Sequence, residues 1–183
     1  PTFLHYLIFE KMISANINVL VEKPLASSLK ECEKMARLSA NSNLVVSVGH
    51  IERHNEVVKY LKNLFDSGKL GKIISASSRR FSPFPTRISD VGVIFDLTIH
   101  DIDILCHIVN SKVSKVYTLG GVFGNDNHED NIVMNLEFES GVTALCQTSW
   151  LTPKKVRDLN IITDTHLIDV DYINQEILIQ SKD

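Results

Sequence analysis

Asn18-Val-Leu-Val-Glu-Lys-Pro24 is the stretch that decides the fold. Its apolar run is short, β-branched at two of three positions and free of polar alternation, which reads as a strand covered on both faces. Upstream, Pro1 suits the first turn of a helix, and Leu4, Leu7, Ile8 and Met12 recur at helical spacing. Asn16 then tolerates the left-handed conformation in which helices end. Downstream, Ser28 with Glu31 forms a capping box that opens a helix from Leu29 to Ala40, and Leu44-Val-Val-Ser-Val48 is a second buried strand. Helix, strand, helix, strand is the order of an α/β layer with parallel strands. Such a sheet binds ligands outside the carboxyl ends of its strands, where Glu22-Lys23-Pro24 falls. A partly desolvated lysine there suits general acid–base work; an exposed Glu–Lys pair at a strand end is the plainer alternative. No G-x-G-x-x-G run occurs, and Gly120, Gly121 and Gly124 lie between strands at the wrong spacing for a phosphate-cradling loop. Two αβ units do not complete an open sheet, so the chain reads as a fragment cut inside its first domain. The first 48 residues are taken as the end of that domain, and 49–183 as a second.

In the second part, Val57, Val58, Leu61, Leu64 and Phe65 mark a helix from about Asn55 to Phe65, stopped by Asp66-Ser-Gly68. Lys72 to Phe81 reads as a strand carrying Arg79 and Arg80 near its end. Pro83, Pro85 and Gly92 punctuate a loop from Phe81 to Val91 that either closes over a site or merely connects. From Val113 onward six strands are expected, beginning near Val113, Asn131, Val142, Arg157, His166 and Glu176. Glu139-Ser-Gly141 is a hairpin turn. The polar loop Gly124 to Asp130 resembles a calcium loop only superficially, because the acidic register and the distal Glu are missing. These strands predict an open, mainly antiparallel sheet with helices on one face, and the other face available to a second subunit.

The chemistry is concentrated in Gly92-Val-Ile-Phe-Asp-Leu-Thr-Ile-His-Asp-Ile-Asp-Ile-Leu105. On a helix at about 100° per residue, Asp96, His100, Asp103 and His107 share one narrow arc, while Leu97, Ile102, Ile104 and Leu105 cover much of the rest. A polar stripe on an otherwise apolar helix is expensive unless its groups pair, bind a metal or line an active site. Asp96 lies four residues before His100 and is placed to orient it. Asp103 is expected to brace or cap, and His107 to lie too far along.

Composition narrows the class. A chain of 183 residues with 44% hydrophobic and 22% charged residues is an ordinary globular protein with a real core. A net charge of −3 argues against nucleic acid or an anionic membrane as partner. Cys32, Cys106 and Cys146 are odd in number and widely spaced, as expected of reduced thiols in the cytoplasm. No apolar run is long enough to span a bilayer.

Taken together, Pro1-x-x-x-His5, Val19-Leu-Val-Glu-Lys-Pro24 and Gly92-Val-x-x-Asp96-x-x-x-His100-Asp-x-Asp103 resemble the Gfo/Idh/MocA family of NAD(P)-dependent sugar oxidoreductases. The two longer motifs stand in order, about seventy residues apart, between the α/β and the β-rich parts. The resemblance implies a Rossmann domain followed by an α/β domain whose open sheet makes a homodimer or homotetramer. It implies NAD or NADP as cofactor, contacted by His5, Glu22, Lys23 and Pro24. It also implies hydride transfer from a sugar carbon, with Lys23 beside the reacting hydroxyl, His100 as proton acceptor and Asp96 orienting it. No metal is implied. Val48-Gly-His-Ile-Glu-Arg53 and Ser149-Trp-Leu-Thr-Pro-Lys-Lys-Val-Arg157 look most like dehydrogenases of UDP-N-acetylglucosamine-type sugars, so Lys154, Lys155 and Arg157 are candidates to face a diphosphate. The main phosphate-binding loop would precede Pro1, and the fragment alone is expected to be inactive. Two rivals remain: a binding or assembly module of the same fold without catalysis, and an HD-type metal phosphohydrolase using His100-Asp101.

Overall fold

Val19–Val21 forms β1, paired in parallel with β2 (Val46–Val48) so that Val19, Leu20 and Val21 stand opposite Val46, Ser47 and Val48. A 3₁₀ turn leads into α1 (His5–Ser14), and Asn16 follows at φ 58°, its N–H donating to the Ile13 carbonyl at 3.0 Å. In α2 (Leu29–Ala40) the Ser28 hydroxyl accepts the Glu31 N–H at 3.3 Å, so the expected cap is present. Phe9, Val21, Ala26 and Met35 make a small core between these helices and one face of the strands. The other face differs from expectation. Leu20 is 70% exposed, because the helices that cover Val19 and Val21 leave the alternate residue uncovered.

The computed structural model describes residues 1–85, 90–124 and 127–182, and the chain divides into two units, Pro1–His50 and Ile51–Asp183. Parts of two predicted loops, 86–89 and 125–126, lie outside the described residues. Among the described residues no helix is long and apolar enough to cross a membrane.

The second unit opens with a 3₁₀ turn, Ile51–His54, and α3 (Glu56–Asp66), whose first turn is capped by the Asn55 side chain on the Val57 N–H at 3.2 Å. Its sheet comprises β3 (Ile73–Phe81), β4 (Val113–Gly121), β5 (Asn131–Phe138), β6 (Thr143–Ser149), β7 (Val156–Thr163), β8 (His166–Asp171) and β9 (Glu176–Ser181). The spatial order is β4-β5-β6-β3-β7-β8-β9. All pairings are antiparallel except β3 with β6, where Ser75 to Phe81 run alongside Thr143 to Ser149. β3 therefore joins two hairpin-connected groups of strands and occupies the middle. Ala76, Met134, Ala144, Cys146, Leu159, Ile161 and Ile168 turn one face toward α3 and α4 (Ile99–Val109) and form the main core with Val58, Leu61, Ile104 and Leu105. The opposite face carries Tyr117 at 63% and Leu119 at 60% exposure, with Ile162, Leu167 and Leu178 also open to solvent.

Candidate active site

At the carboxyl end of β1 the chain passes through exposed Glu22, half-buried Lys23 and buried Pro24, and the Lys23–Pro24 peptide is cis. His5, the first residue of α1, lies with Nδ1 2.9 Å from the Pro24 carbonyl, so that nitrogen donates and the Nε2 edge is left as the acceptor. At the end of β2 the Gly49 N–H donates to the Val21 carbonyl at 2.7 Å. A Cβ on Gly49 would stand 3.0 Å from Glu22 Oε2, so the absence of a side chain leaves room for that carboxylate against the strand end. Gly49 was missed in the sequence reading; its signal was its place at the second strand's carboxyl end.

Asp96 and His100 sit on a helix that does not start as predicted. Ile94–Thr98 is wound as a π turn, with regular α geometry only from Ile99, so a uniform 100° per residue does not apply to Asp96. The Thr98 hydroxyl reaches back five residues to the Val93 carbonyl at 3.4 Å and contacts the Thr148 hydroxyl at 3.0 Å, which ties the wide turn to β6. Asp96 is half-buried, and His100 is 9% exposed near the head of α4. Asp103 turns to a different partner. Its carboxylate accepts Arg53 Nε at 2.8 Å and Nη2 at 2.5 Å, a bidentate brace between α4 and the preceding 3₁₀ turn that raises the guanidinium pKa. His107 lies further along, and burial lowers its pKa.

Behind His100 lies a charged cluster that the sequence reading did not assemble. Arg80 is 1% exposed, donates from Nε to Asp101 Oδ1 at 3.0 Å and from Nη1 to Glu52 Oε1 at 3.1 Å, and stands 5.7 Å from the centre of the Tyr172 ring. Burial opposes the Arg80 charge, but Asp101 and then Glu52 outweigh it and raise its pKa. The two carboxylates sharing this guanidinium are driven apart. Burial raises Asp101 despite Arg80 beside it. Burial also acts to raise Glu52, but the charge and hydrogen bond of Arg80, with smaller contributions from His100 and Asn55, bring it below the ordinary range. The available signal was strand parity: Arg80 shares the Ala76 and Ser78 face of β3 and must point inward.

Arg157, opposite Arg80 in the β3–β7 register, is half-buried with Nη1 3.9 Å from Glu52 Oε1. Lys154 is exposed, its carbonyl accepting the Thr152 hydroxyl at 2.9 Å. Both line a cavity of about 510 Å³ with Arg79, Lys155, Asp158 and Asn174, in which Arg79 and Asp158 are already paired at 2.6 Å. The structure thus places Arg157 and Lys154 together, and Arg157 beside the buried cluster. Cys146 is fully buried, and that burial pushes its thiol up to about 12, which leaves it no nucleophilic role. Among the described residues no three His, Cys, Asp or Glu side chains gather as a metal site, and Asp101, the second half of the HD pair, is engaged by Arg80.

A parallel αβ unit with a polar strand end is followed in the chain by an open-sheet unit with an Asp–His helix. Residues 1–50 match a profile described as an oxidoreductase family with an NAD-binding Rossmann fold, and residues 58–167 match the GFO/IDH/MocA C-terminal domain. The chain belongs to the Gfo/Idh/MocA family. It is 25% identical over 177 residues to a UDP-N-acetylglucosamine 3-dehydrogenase of Acidithiobacillus ferrooxidans, covering 97% of this chain and 55% of that protein. It is 29% identical over 145 residues to a myo-inositol 2-dehydrogenase of Thermotoga maritima, covering 74% and 43%. Among solved structures, the WlbA dehydrogenase of Bordetella pertussis, in complex with NADH and UDP-GlcNAcA, shares the fold at a TM-score of 0.91 and 19% identity, over 100% of this chain and 57% of that one. The chain spans about half the length of the curated relatives it matches.

Proposed function

We propose that the protein is an NAD(P)-dependent dehydrogenase that oxidises a hydroxyl carbon of a sugar, with a nucleotide sugar as the preferred class. The observation that carries this reading is the family match across both units, with Lys23 at the strand end in one and the Asp96–His100 helix in the other. The side chains at the carboxyl ends of β1 and β2 suit a dinucleotide: imidazole from His5, carboxylate from Glu22, ammonium from Lys23 and close backbone at Pro24 and Gly49. When bound, the nicotinamide would supply the hydride acceptor. Removing hydride from a carbinol leaves a hydroxyl proton that needs a base within hydrogen-bond reach. His100 takes that proton, Asp96 orients the imidazole and binds the sugar, and Lys23 stabilises charge developing on the oxygen. Lys154 and Arg157 meet the diphosphate of the nucleotide, where Arg157 presents a planar fork suited to phosphate oxygens.

The protein is expected to form reduced cofactor when given NAD⁺ or NADP⁺ with a UDP-N-acetylhexosamine. This is followed by near-ultraviolet absorbance. No turnover with nucleotide sugars, hexoses or inositols, together with no cofactor binding by calorimetry, would overturn the proposal in favour of a non-catalytic assembly module.

The open face of the sheet, with Tyr117 and Leu119 exposed on β4 and Ile162, Leu167 and Leu178 exposed on β7, β8 and β9, supports a homodimer or homotetramer. Leu119→Glu is expected to shift the protein to monomer in sedimentation, with helix and sheet content unchanged by circular dichroism. A wild type that already sediments as monomer would remove this role for the face.

A further inference from the structure

We propose that Glu129 is a positioning residue that sets where the helix carrying Asp96 and His100 begins, and that Gly92 is glycine because this carboxylate fills the space a side chain would take. The proposal rests on the reading of Asp96 and His100 as the reacting pair. The first N–H groups of a helix have no partner within it. Here Val93 offers no side-chain cap, and Glu129 supplies both bonds: its carbonyl accepts the Val93 N–H at 2.8 Å and its Oε1 accepts the Ile94 N–H at 3.1 Å. The carboxylate also meets the positive end of the helix dipole.

A Cβ built on Gly92 would stand 2.2 Å from the Glu129 carboxyl carbon and from both its oxygens. Any side chain at Gly92 therefore displaces the carboxylate and its bond to Ile94, leaving the carbonyl bond to Val93. The helical ladder starts at the same residue, since the Asp96 N–H donates to the Gly92 carbonyl at 3.1 Å. A shift at Gly92 is passed directly to Asp96.

Glu129 is itself held by its neighbour. Asp130 is fully buried; its carboxylate accepts the Phe123 N–H at 3.1 Å and the Gly124 N–H at 2.6 Å, while its carbonyl accepts the Trp150 N–H at 2.8 Å. The pair Glu129-Asp130 thus fastens the helix start to the rim of β4, β5 and β6. The Thr98–Thr148 contact makes a second attachment two residues before His100. The polar loop that ends at Asp130 has this positioning task at its last two residues.

Four variants test the idea: Gly92→Ala, Glu129→Ala, Glu129→Gln and the double Gly92→Ala/Glu129→Ala. Gly92→Ala and Glu129→Ala are each expected to lower kcat by about 10²-fold with KM little changed, the cost of a misplaced reacting group. Glu129→Gln keeps an acceptor oxygen and should recover most of that loss. The double variant should be no worse than Glu129→Ala alone, since removing the carboxylate makes room for the new methyl. Hydrogen exchange at the Ile94 amide should accelerate in Glu129→Ala while the amides of β5 stay protected. Multiplied losses in the double variant, an unchanged kcat, or an unchanged Ile94 exchange rate would each overturn the proposal. The exchange measurement does not depend on catalysis, so it separates failure of the cap from failure of the His100 assignment.

Discussion

Arg80→Met is expected to cost the second unit roughly 3–5 kcal/mol, the range found when one member of a buried ion pair is removed. Methionine fills much of the volume, so the loss comes from charge. Asp101 would be left buried with no cation beside it, and Glu52 would keep Asn55, His100 and the more distant Arg157. The measurement is urea unfolding, read as a lower midpoint at an unchanged slope. Adding Asp101→Asn to Arg80→Met removes the stranded carboxylate and should restore part of the midpoint. A drop well under 1 kcal/mol would show that the cluster is hydrated and worth no more than a surface pair. Acid should act through Glu52. Its folded pKa is depressed, so its contribution is present above the ordinary carboxylate range and disappears as the pH falls through the lower folded value.

The larger kinetic effect is expected at His100. Its replacement by alanine removes the proposed proton acceptor, and turnover should fall by about 10²–10⁴-fold, the usual worth of a positioned general base. KM for the sugar should rise as well, because His100 is also proposed to contact the substrate. Lys23→Met should lower kcat while leaving tight folding intact, since Lys23 lies half-buried at a strand end rather than in a core. Full turnover in either variant would remove that residue from the mechanism. An Asp96→Asn variant keeps the size and hydrogen-bonding capacity of the side chain but not its charge, and should lie between the two extremes.

Local pattern made the elements legible. The Ser28–Glu31 box, the Asn16 stop, the Asn55 start of α3 and the strand expected near Asn131 each rest on a few neighbouring residues, and all appear where the sequence placed them. The fold class, a small parallel layer followed by an open, mainly antiparallel sheet, followed from their order. What remained hidden depends on contacts across long separations. Nothing local places β3 between β6 and β7, because a strand's pattern shows which face is buried and not which strand lies beside it. The π turn was invisible to an argument that assumed a constant angle per residue. Glu129 reaches Ile94 from 35 positions away, and Arg80 reaches Asp101 from 21. The apolar run at Leu20 misled for a related reason, since hydrophobicity announces that a face can be covered but not by what.

β3 has a further consequence. Ile73-Ile-Ser-Ala-Ser-Ser-Arg-Arg-Phe81 is the central strand of its sheet, yet its inward positions offer little apolar contrast with its outward ones. Hydrophobicity alone would specify its alignment weakly, and a slip by one residue would exchange the two faces. A slip by one brings either Phe81 or Arg79 to the place of Arg80, and Arg79 gives up its Asp158 partner to get there; a slip by two brings a serine, Ser78 or Ser82. The arrangements that put phenylalanine or serine there bury a carboxylate without its cation, an error of several kcal/mol that the correctly threaded strand avoids. The buried arginine therefore acts as an alignment key during folding. It penalises the alignments that leave Asp101 without a guanidinium, in a strand whose two neighbours, β6 and β7, come much later in the sequence.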